Sequence, residues 1–174
     1  PVREDPRDAI VGSKLDDLPH GAVVGTGSLR RRAALLSVRP DLDIRDIRGN
    51  VDTRLRKLHE GQYDAIILAL AGMKRLGLSL EGVHPLPVDL MVPAVGQGAL
   101  GIQCRADDAE VLRAIRQIED SPTRRAVEAE RAFRHPHALP ARRLLTFLHL
   151  PPALDRHLDR PDHVERLLRE VVVL

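Results

Sequence analysis

Arg30, Arg31 and Arg32 follow directly on Gly25-Thr26-Gly27-Ser28, and no other stretch of this 174-residue chain is as well equipped for chemistry. Arginine keeps its charge at neutral pH, and its planar fork of N–H donors meets a carboxylate or phosphate with two bonds at once. Thr26 and Ser28 add hydroxyls, and the glycines allow close approach to the backbone. The chemistry implied is the holding of an anion. The three arginines also stand where a helix alone would not favour them. Ala22-Val23-Val24 reads as a buried strand, the glycine-rich tetrapeptide as a tight turn, and Leu29 to about Val38 as a helix closed by Pro40. Cations in a first helical turn oppose the helix dipole by roughly 0.3–1 kcal/mol each. An anionic ligand bound by guanidiniums, hydroxyls and free helix amides offsets that penalty. The competing reading is a solvated basic face on a surface helix.

The elements that follow repeat the same plan. Leu42 to Ile47 reads as a short strand, Arg48-Gly49 as a loop, and Asn50 as the N-cap of a helix with Val51, Leu55 and Leu58 on its apolar face. Arg48, in a strand-to-helix loop, is placed to meet a ligand. Arg54 lies on that helix and also reads as a solvated charge. Asp64 to Leu70 is an apolar run of strand length, as for a strand covered on both faces, and small residues end it at Ala69, Ala71 and Gly72. Alternating strands and helices predict an α/β domain with a parallel sheet, in which ligands bind beyond the carboxyl ends of the strands. Gly25–Ser28, Arg48–Asn50 and Ala69–Gly72 all fall at those ends. The third glycine of a dinucleotide fingerprint is missing where Arg30 stands, and no Gly-Lys-Ser/Thr follows, so neither a dinucleotide site nor a P-loop is expected.

The flanks carry less. Residues 1–21, charged and broken by Pro6 and Pro19, read as a connector. Pro93 to Gly101, with three glycines around Gln97, reads as a hinge, followed by a short strand over 99–103. Residues 107–118 read as an amphipathic helix, and Ser121-Pro122 opens another that runs to about Phe133. From Arg134 the composition changes: 134–174 hold no Gly, Lys, Ser or Cys, but five of the eight histidines and five of the thirteen prolines. This segment reads as a divergent, aberrant tail, with a genuine but divergent terminus as the alternative and a short helix possible over 163–174.

Composition narrows the class. Hydrophobic residues make up 43% and charged residues 30%, as in soluble globular chains, and with aromatics at 2% and no Trp the core must be aliphatic. A net charge of +2, without a polybasic block interleaved with aromatics, argues against nucleic acid. No run reaches the roughly 18 apolar residues of a membrane span. The single cysteine, Cys104, fits a reducing, cytoplasmic setting, reads as a small buried hydrophobe in a strand, and is not assigned a cofactor. The scattered tail histidines carry no metal-ligand spacing, and no metal is expected. The chain opens without Met and reads as a fragment or a processed piece.

Gly25-Thr26-Gly27-Ser28-Leu29-Arg30-Arg31, then Arg48-Gly49-Asn50-Val51 and Thr53-Arg54-Leu55, resemble porphobilinogen deaminases (hydroxymethylbilane synthases). The likeness continues through Tyr63–Ala69, Gly72-Met73-Lys74-Arg75-Leu76-Gly77, Pro93-Ala94-Val95-Gly96-Gln97-Gly98 and Val127–Phe133, in the family's order. It implies a transferase of tetrapyrrole (heme) biosynthesis, which joins four porphobilinogen units on a dipyrromethane cofactor with release of ammonia. It also implies a periplasmic-binding-protein-like parallel-sheet domain with partial flanking domains. Residues 1–3 would end domain 1, 4–92 form domain 2, 93–120 the hinge and return segment, 121–133 the start of domain 3, and 134–174 the divergent tail. By the same resemblance Thr26, Gly27, Ser28, Arg30, Arg31, Arg48 and Arg54 would bind the cofactor, and Arg75 and Gln97 the substrate. The family's catalytic Asp would lie upstream of Pro1, so no catalytic residue is expected here. Its cofactor cysteine would follow Phe133 in a glycine-rich loop, where this chain has neither Gly nor Cys, so covalent attachment is not expected. The partners implied are porphobilinogen or polypyrrole carboxylates, bound by a monomer. The alternative is a non-catalytic polyanion-binding module; a phosphate or nucleic-acid binder is a weaker third.

Overall fold

Ala65, Ile66 and Ile67 are wholly buried and Leu68 nearly so, as the unbroken apolar run demands. The computed structural model describes residues 1–105, 107–134 and 171–173. The chain divides into two units, Glu4–Gly98 and a second made of Pro1–Arg3 with Ala99–Leu174. The first holds β1 (Asp8–Gly12), β2 (Val23–Gly25), α1 (Leu29–Val38), β3 (Asp43–Arg45), α2 (Val51–His59), β4 (Ala65–Ala69), α3 (Leu70–Arg75) and β5 (Val83–Pro85). Its five strands form one sheet in the order β3-β2-β4-β1-β5.

The sheet is mixed, where the sequence led us to expect a parallel one. β2 pairs in parallel with β3 and β4, but β1 runs antiparallel to both β4 and β5. This also corrects the reading of residues 1–21 as a connector, because β1 lies inside the sheet. Ala9, Ile10 and Val11 are buried there. The register sets Asp8 opposite Ala69, so the first residue of β1 arrives at the carboxyl end of β4.

Alternation along the strands divides the core in two. Ile10, Val24, Ile44, Ala65 and Ile67 face α1 and pack with Leu35, Leu15, Leu18 and Met91. Val11, Ile66 and Leu68 face the opposite way, onto Ile47 and Met73, with Val51, Leu55 and Leu58 of α2 laid over them. The helical spacing read for α2 therefore describes its packed face, and Asn50 caps it by accepting the Thr53 N–H at 2.9 Å. The segment Ala69–Gly72 is not an open loop. It begins α3, with Leu70 and Ala71 buried.

Arg39, just past α1, ties down the loop before β2. It donates to the carbonyls of Leu15 and Leu18 and pairs with Asp41 at 2.8 Å. That hydrogen-bonded pairing, helped by the Gly21 N–H, holds the Asp41 carboxyl well below the usual carboxylate range. A carboxyl depressed in the folded state adds stability above its unfolded pKa and loses it as pH falls toward the folded value. Asp41→Asn should therefore lower the thermal midpoint at pH 7, and its gap from wild type should narrow once pH drops below about 4. Thermal unfolding across pH 2–7 checks this; a gap independent of pH would contradict it.

In the second unit, β6 (Gly101–Gln103) pairs antiparallel with β7 (Val171–Val173), so 171–173 is strand rather than part of a helix. α4 (Ala109–Arg116) is capped by Asp108, and α5 spans Ser121–Arg134. In the same unit, Arg3 pairs with Glu130, and its N–H donates to Thr123. The remainder of the tail reading, 135–170 and 174, falls outside the described residues.

Candidate anion-binding site

The carboxyl ends of β2 and β3 open onto the N-termini of α1 and α2, and between them lies a cavity of about 550 Å³. Gly27, Ser28 and Arg31 line one side. Asp46, Ile47, Arg48, Gly49 and Arg54 line the other. Each wall is built by its own sequence. Ser28 caps α1, its hydroxyl accepting the Arg31 N–H at 3.4 Å. Thr26 is buried rather than facing the cavity; its hydroxyl oxygen accepts the Ser28 N–H at 3.2 Å and shapes the turn. Opposite, Gly49 adopts φ 117°, a conformation in which a side chain is strained. That turn sets Arg48 at the cavity and brings the Gly49 carbonyl onto Arg54 Nε at 2.8 Å. The residues that lead into both helices, Gly27 and Ser28 for α1 and Arg48 and Gly49 for α2, thus border the same space.

The charges are unevenly balanced. Among the described residues neither Arg48 nor Arg54 makes an ion pair. Arg31 donates from Nε and Nη2 to Asp8 Oδ1, at 3.0 and 2.8 Å, and from Nη1 to the Ile67 carbonyl at 3.1 Å. Its side chain is only 12% exposed. Burial pulls the Arg31 guanidinium below the ordinary arginine range; Asp8 opposes that shift, while repulsion from Arg30 and Arg54 adds to it. An incoming anion relieves this repulsion and meets a partly desolvated cation, where attraction is stronger than in bulk water.

Of the residues read from the sequence, Gly27, Ser28, Arg31, Arg48 and Arg54 come together around the cavity. Arg30 stands beside it, tied to the Val92 carbonyl at 2.6 Å and to Asp8 at 2.7 Å. Arg75 lies apart, at the end of α3, and donates to the Gly98 carbonyl. Gln97 donates to the Pro6 carbonyl and to Asp8 Oδ1. Arg32 reaches the Ile44 carbonyl and is no part of the site. Cys104, partly buried, belongs to the second unit and lines no part of this cavity. Among the described residues, no group of three or more His, Cys, Asp or Glu could hold a metal ion, and no helix is long and apolar enough to cross a membrane.

Sequence reading missed Asp8, which is fully buried and accepts from Arg31 and Gln97 with Arg30 close by. The signal was present: Ala9-Ile10-Val11 is a short apolar run, and an acid at the head of such a run needs a partner if the run is buried.

An α/β domain that gathers guanidiniums at the carboxyl ends of its strands has the arrangement expected of a domain that holds an anion. Comparison with known proteins makes this specific. Residues 1–113 match the family model described as porphobilinogen deaminase, dipyromethane cofactor binding domain. A porphobilinogen deaminase of Brevibacillus brevis is 56% identical over 138 residues, covering 78% of this chain and 45% of that protein. The porphobilinogen deaminases of Roseiflexus castenholzii and Desulforudis audaxviator are each 58% identical, over 136 and 135 residues, covering 76% of this chain and 45% and 44% of theirs. The chain belongs to the porphobilinogen deaminase family, a family of transferases of porphyrin biosynthesis whose matched domain binds a dipyrromethane cofactor. It spans about 45% of the length of these curated relatives. A solved substrate-binding protein of an amino acid ABC transporter overlays at a TM-score of 0.33 and 23% identity, over 47% of this chain and 38% of that one, too slight a likeness to add to the argument.

Proposed function

We propose that this chain supplies the cofactor-holding wall of a hydroxymethylbilane synthase, an enzyme condensing four porphobilinogen units on a dipyrromethane with loss of ammonia. The observation that carries the reading is the convergence of Arg31, Arg48 and Arg54 on one cavity bordered by the residues that lead into α1 and α2, within a domain of that family. A dipyrromethane bearing acetate and propionate groups is a tetracarboxylate, and the residues present fit it. Arg48 and Arg54 offer guanidiniums that have no ion-pair partner among the described residues. Arg31 offers the N–H groups not spent on Asp8 and Ile67. Gly27 and Ser28 border the amides of the first turn of α1, and Thr26 keeps that turn in shape. When bound, the cofactor supplies the primer to which pyrroles are added; the residues here orient its carboxylates and screen their mutual repulsion. Arg75 and Gln97 are assigned to substrate indirectly, through the Gly98 and Asp8 contacts that fix the loop from Pro93.

Residues 4–92 are read as domain 2, 93–120 as the hinge and return segment, and 121–133 as the start of domain 3. The strand order, with one antiparallel strand set among parallel ones, is read as one lobe of a periplasmic-binding-protein-like fold. The protein is read as a monomeric cytoplasmic enzyme that binds no nucleic acid. No residue of this chain is assigned the proton chemistry of condensation or the thioether to the cofactor, so the chain by itself is expected to bind pyrrole carboxylates without condensing them.

Calorimetric titration tests the reading. The chain should bind a synthetic dipyrromethane tetracarboxylate, with affinity falling roughly tenfold between low and high salt as the charges are screened. Acetate at the same concentration should give no measurable heat. Binding that survives Arg48→Met with Arg54→Met unchanged would refute it.

A further inference from the structure

Asp8 is the one carboxylate withdrawn fully from solvent among the described residues, and its two oxygens are used unequally. Oδ1 accepts three donors: Arg31 Nε at 3.0 Å, Arg31 Nη2 at 2.8 Å and Gln97 Nε2 at 3.0 Å. Oδ2 lies 2.7 Å from Arg30 Nη2 yet has no aligned hydrogen bond, so the contact there is ionic and sits off the N–H direction. The two neighbouring arginines are therefore held in different ways. Arg31 is gripped along one edge of its guanidinium by Oδ1 and steadied from Nη1 by the Ile67 carbonyl. Of its five N–H groups three are committed, which leaves one on each Nη, and this side chain lines the cavity. Arg30 is more exposed and shared between Asp8 and the Val92 carbonyl.

We propose that Asp8 is a positioning residue for the anion site, fixing Arg31 as a rigid carboxylate receptor and holding Arg30 beside it against their mutual repulsion. The proposal rests on the reading of the cavity as a polycarboxylate site. Two opposed effects make it decidable. Neutralising Asp8 makes the region more positive, which at long range favours an anion. It also releases the edge of Arg31, so a ligand must then order a long side chain as it binds. If Asp8 were only a counter-charge, the first effect would rule and binding would tighten. If Asp8 positions Arg31, the second rules and binding weakens.

The test uses the full 174-residue chain and the synthetic dipyrromethane tetracarboxylate, with wild type, Asp8→Asn and Gln97→Leu titrated at several salt concentrations. Asp8→Asn should bind about tenfold more weakly, with a salt slope no shallower than wild type, because the number of guanidiniums meeting the ligand is unchanged. Its Arg31 Nε–H, bonded to Asp8 Oδ1 in wild type, should exchange with solvent faster than the wild-type group does. Gln97→Leu removes one donor from Oδ1 without altering charge and should cost about two- to fivefold. Equal or tighter binding by folded Asp8→Asn overturns the proposal alone. Should Asp8→Asn fail to fold, unchanged affinity in Gln97→Leu overturns it and the expected loss supports it. Absence of binding by wild type overturns the polycarboxylate reading and this proposal with it.

Discussion

Substituting Arg31 with leucine should reduce tetracarboxylate binding by at least about a hundredfold and destabilise the fold by about 2–4 kcal/mol. Both effects come from the double use of one guanidinium. On the ligand side, two charge-assisted hydrogen bonds are lost, each worth about 1.5–3 kcal/mol. On the protein side, Asp8 Oδ1 loses two of its three donors, while Oδ2 keeps only the misaligned contact from Arg30. Removing one member of a buried pair costs about 3–5 kcal/mol when the other charge is left uncompensated; here Arg30 still offsets part of the Asp8 charge, and the leucine recovers a further part by apolar burial. Arg31→Lys should fall between, since one ammonium cannot serve Asp8, the Ile67 carbonyl and a ligand together. Denaturant unfolding and calorimetry on the two variants check this. An Arg31→Leu protein of wild-type stability would contradict the buried pair, and one of wild-type affinity would contradict the site.

Gly49→Ala should cost about 2–3 kcal/mol and weaken ligand binding, although the added group is a single methyl. At φ 117° the backbone lies beyond the left-handed helical well that other residues visit. An added Cβ would stand 2.6 Å from Thr53 Cγ2 and 2.8 Å from Thr53 Cβ. Thr53 is in the first turn of α2 and donates its N–H to the capping Asn50, so it cannot yield without disturbing the helix start. Shifting that start displaces Arg48 and the Gly49 carbonyl that orients Arg54. A second substitution, Thr53→Ser, removes Cγ2 but leaves both Cβ and the strained φ. The double variant should therefore recover part of the lost stability, by denaturant unfolding. Full recovery would show that the backbone conformation costs nothing; no recovery would show that the clash does not matter.

The elements nearest the site were the easiest to read. α1 begins after a capping serine and α2 after a capping asparagine, and the apolar run of β4 can only be a covered strand. What escaped has physical reasons. β1 is five residues headed by an acid, with Pro6 two residues before it, so its local pattern resembles a loop; its place in the sheet comes from pairing with a strand more than fifty residues away. β5 includes Pro85 and survives as a strand because it sits at the sheet edge, where a missing donor is tolerated. α3 follows β4 without a side-chain cap, so nothing in the sequence marks its start. Arg75 was legible as an arginine of the family motif, but its bond to Gly98 depends on how the chain returns.

The same limit governed the arginine cluster. Cations in the first turn of α1 called for a compensating anion, and an external ligand was the simplest source. The fold supplies one anion internally, as Asp8, and one carboxylate serves Arg30 and Arg31 together. Among the described residues Arg48 and Arg54 have no partner of that kind, so the need for an external anion rests chiefly on them and on the N–H groups of Arg31 not committed to Asp8 and Ile67.

The most direct measurement is a crystal structure of this chain grown with the synthetic dipyrromethane tetracarboxylate. The ligand should lie in the cavity between the starts of α1 and α2, with carboxylate oxygens at about 3 Å from guanidinium nitrogens of Arg31, Arg48 and Arg54, and with Asp8 still on Arg31. Ligand bound elsewhere, or bound there with those three side chains turned to solvent, would contradict the account.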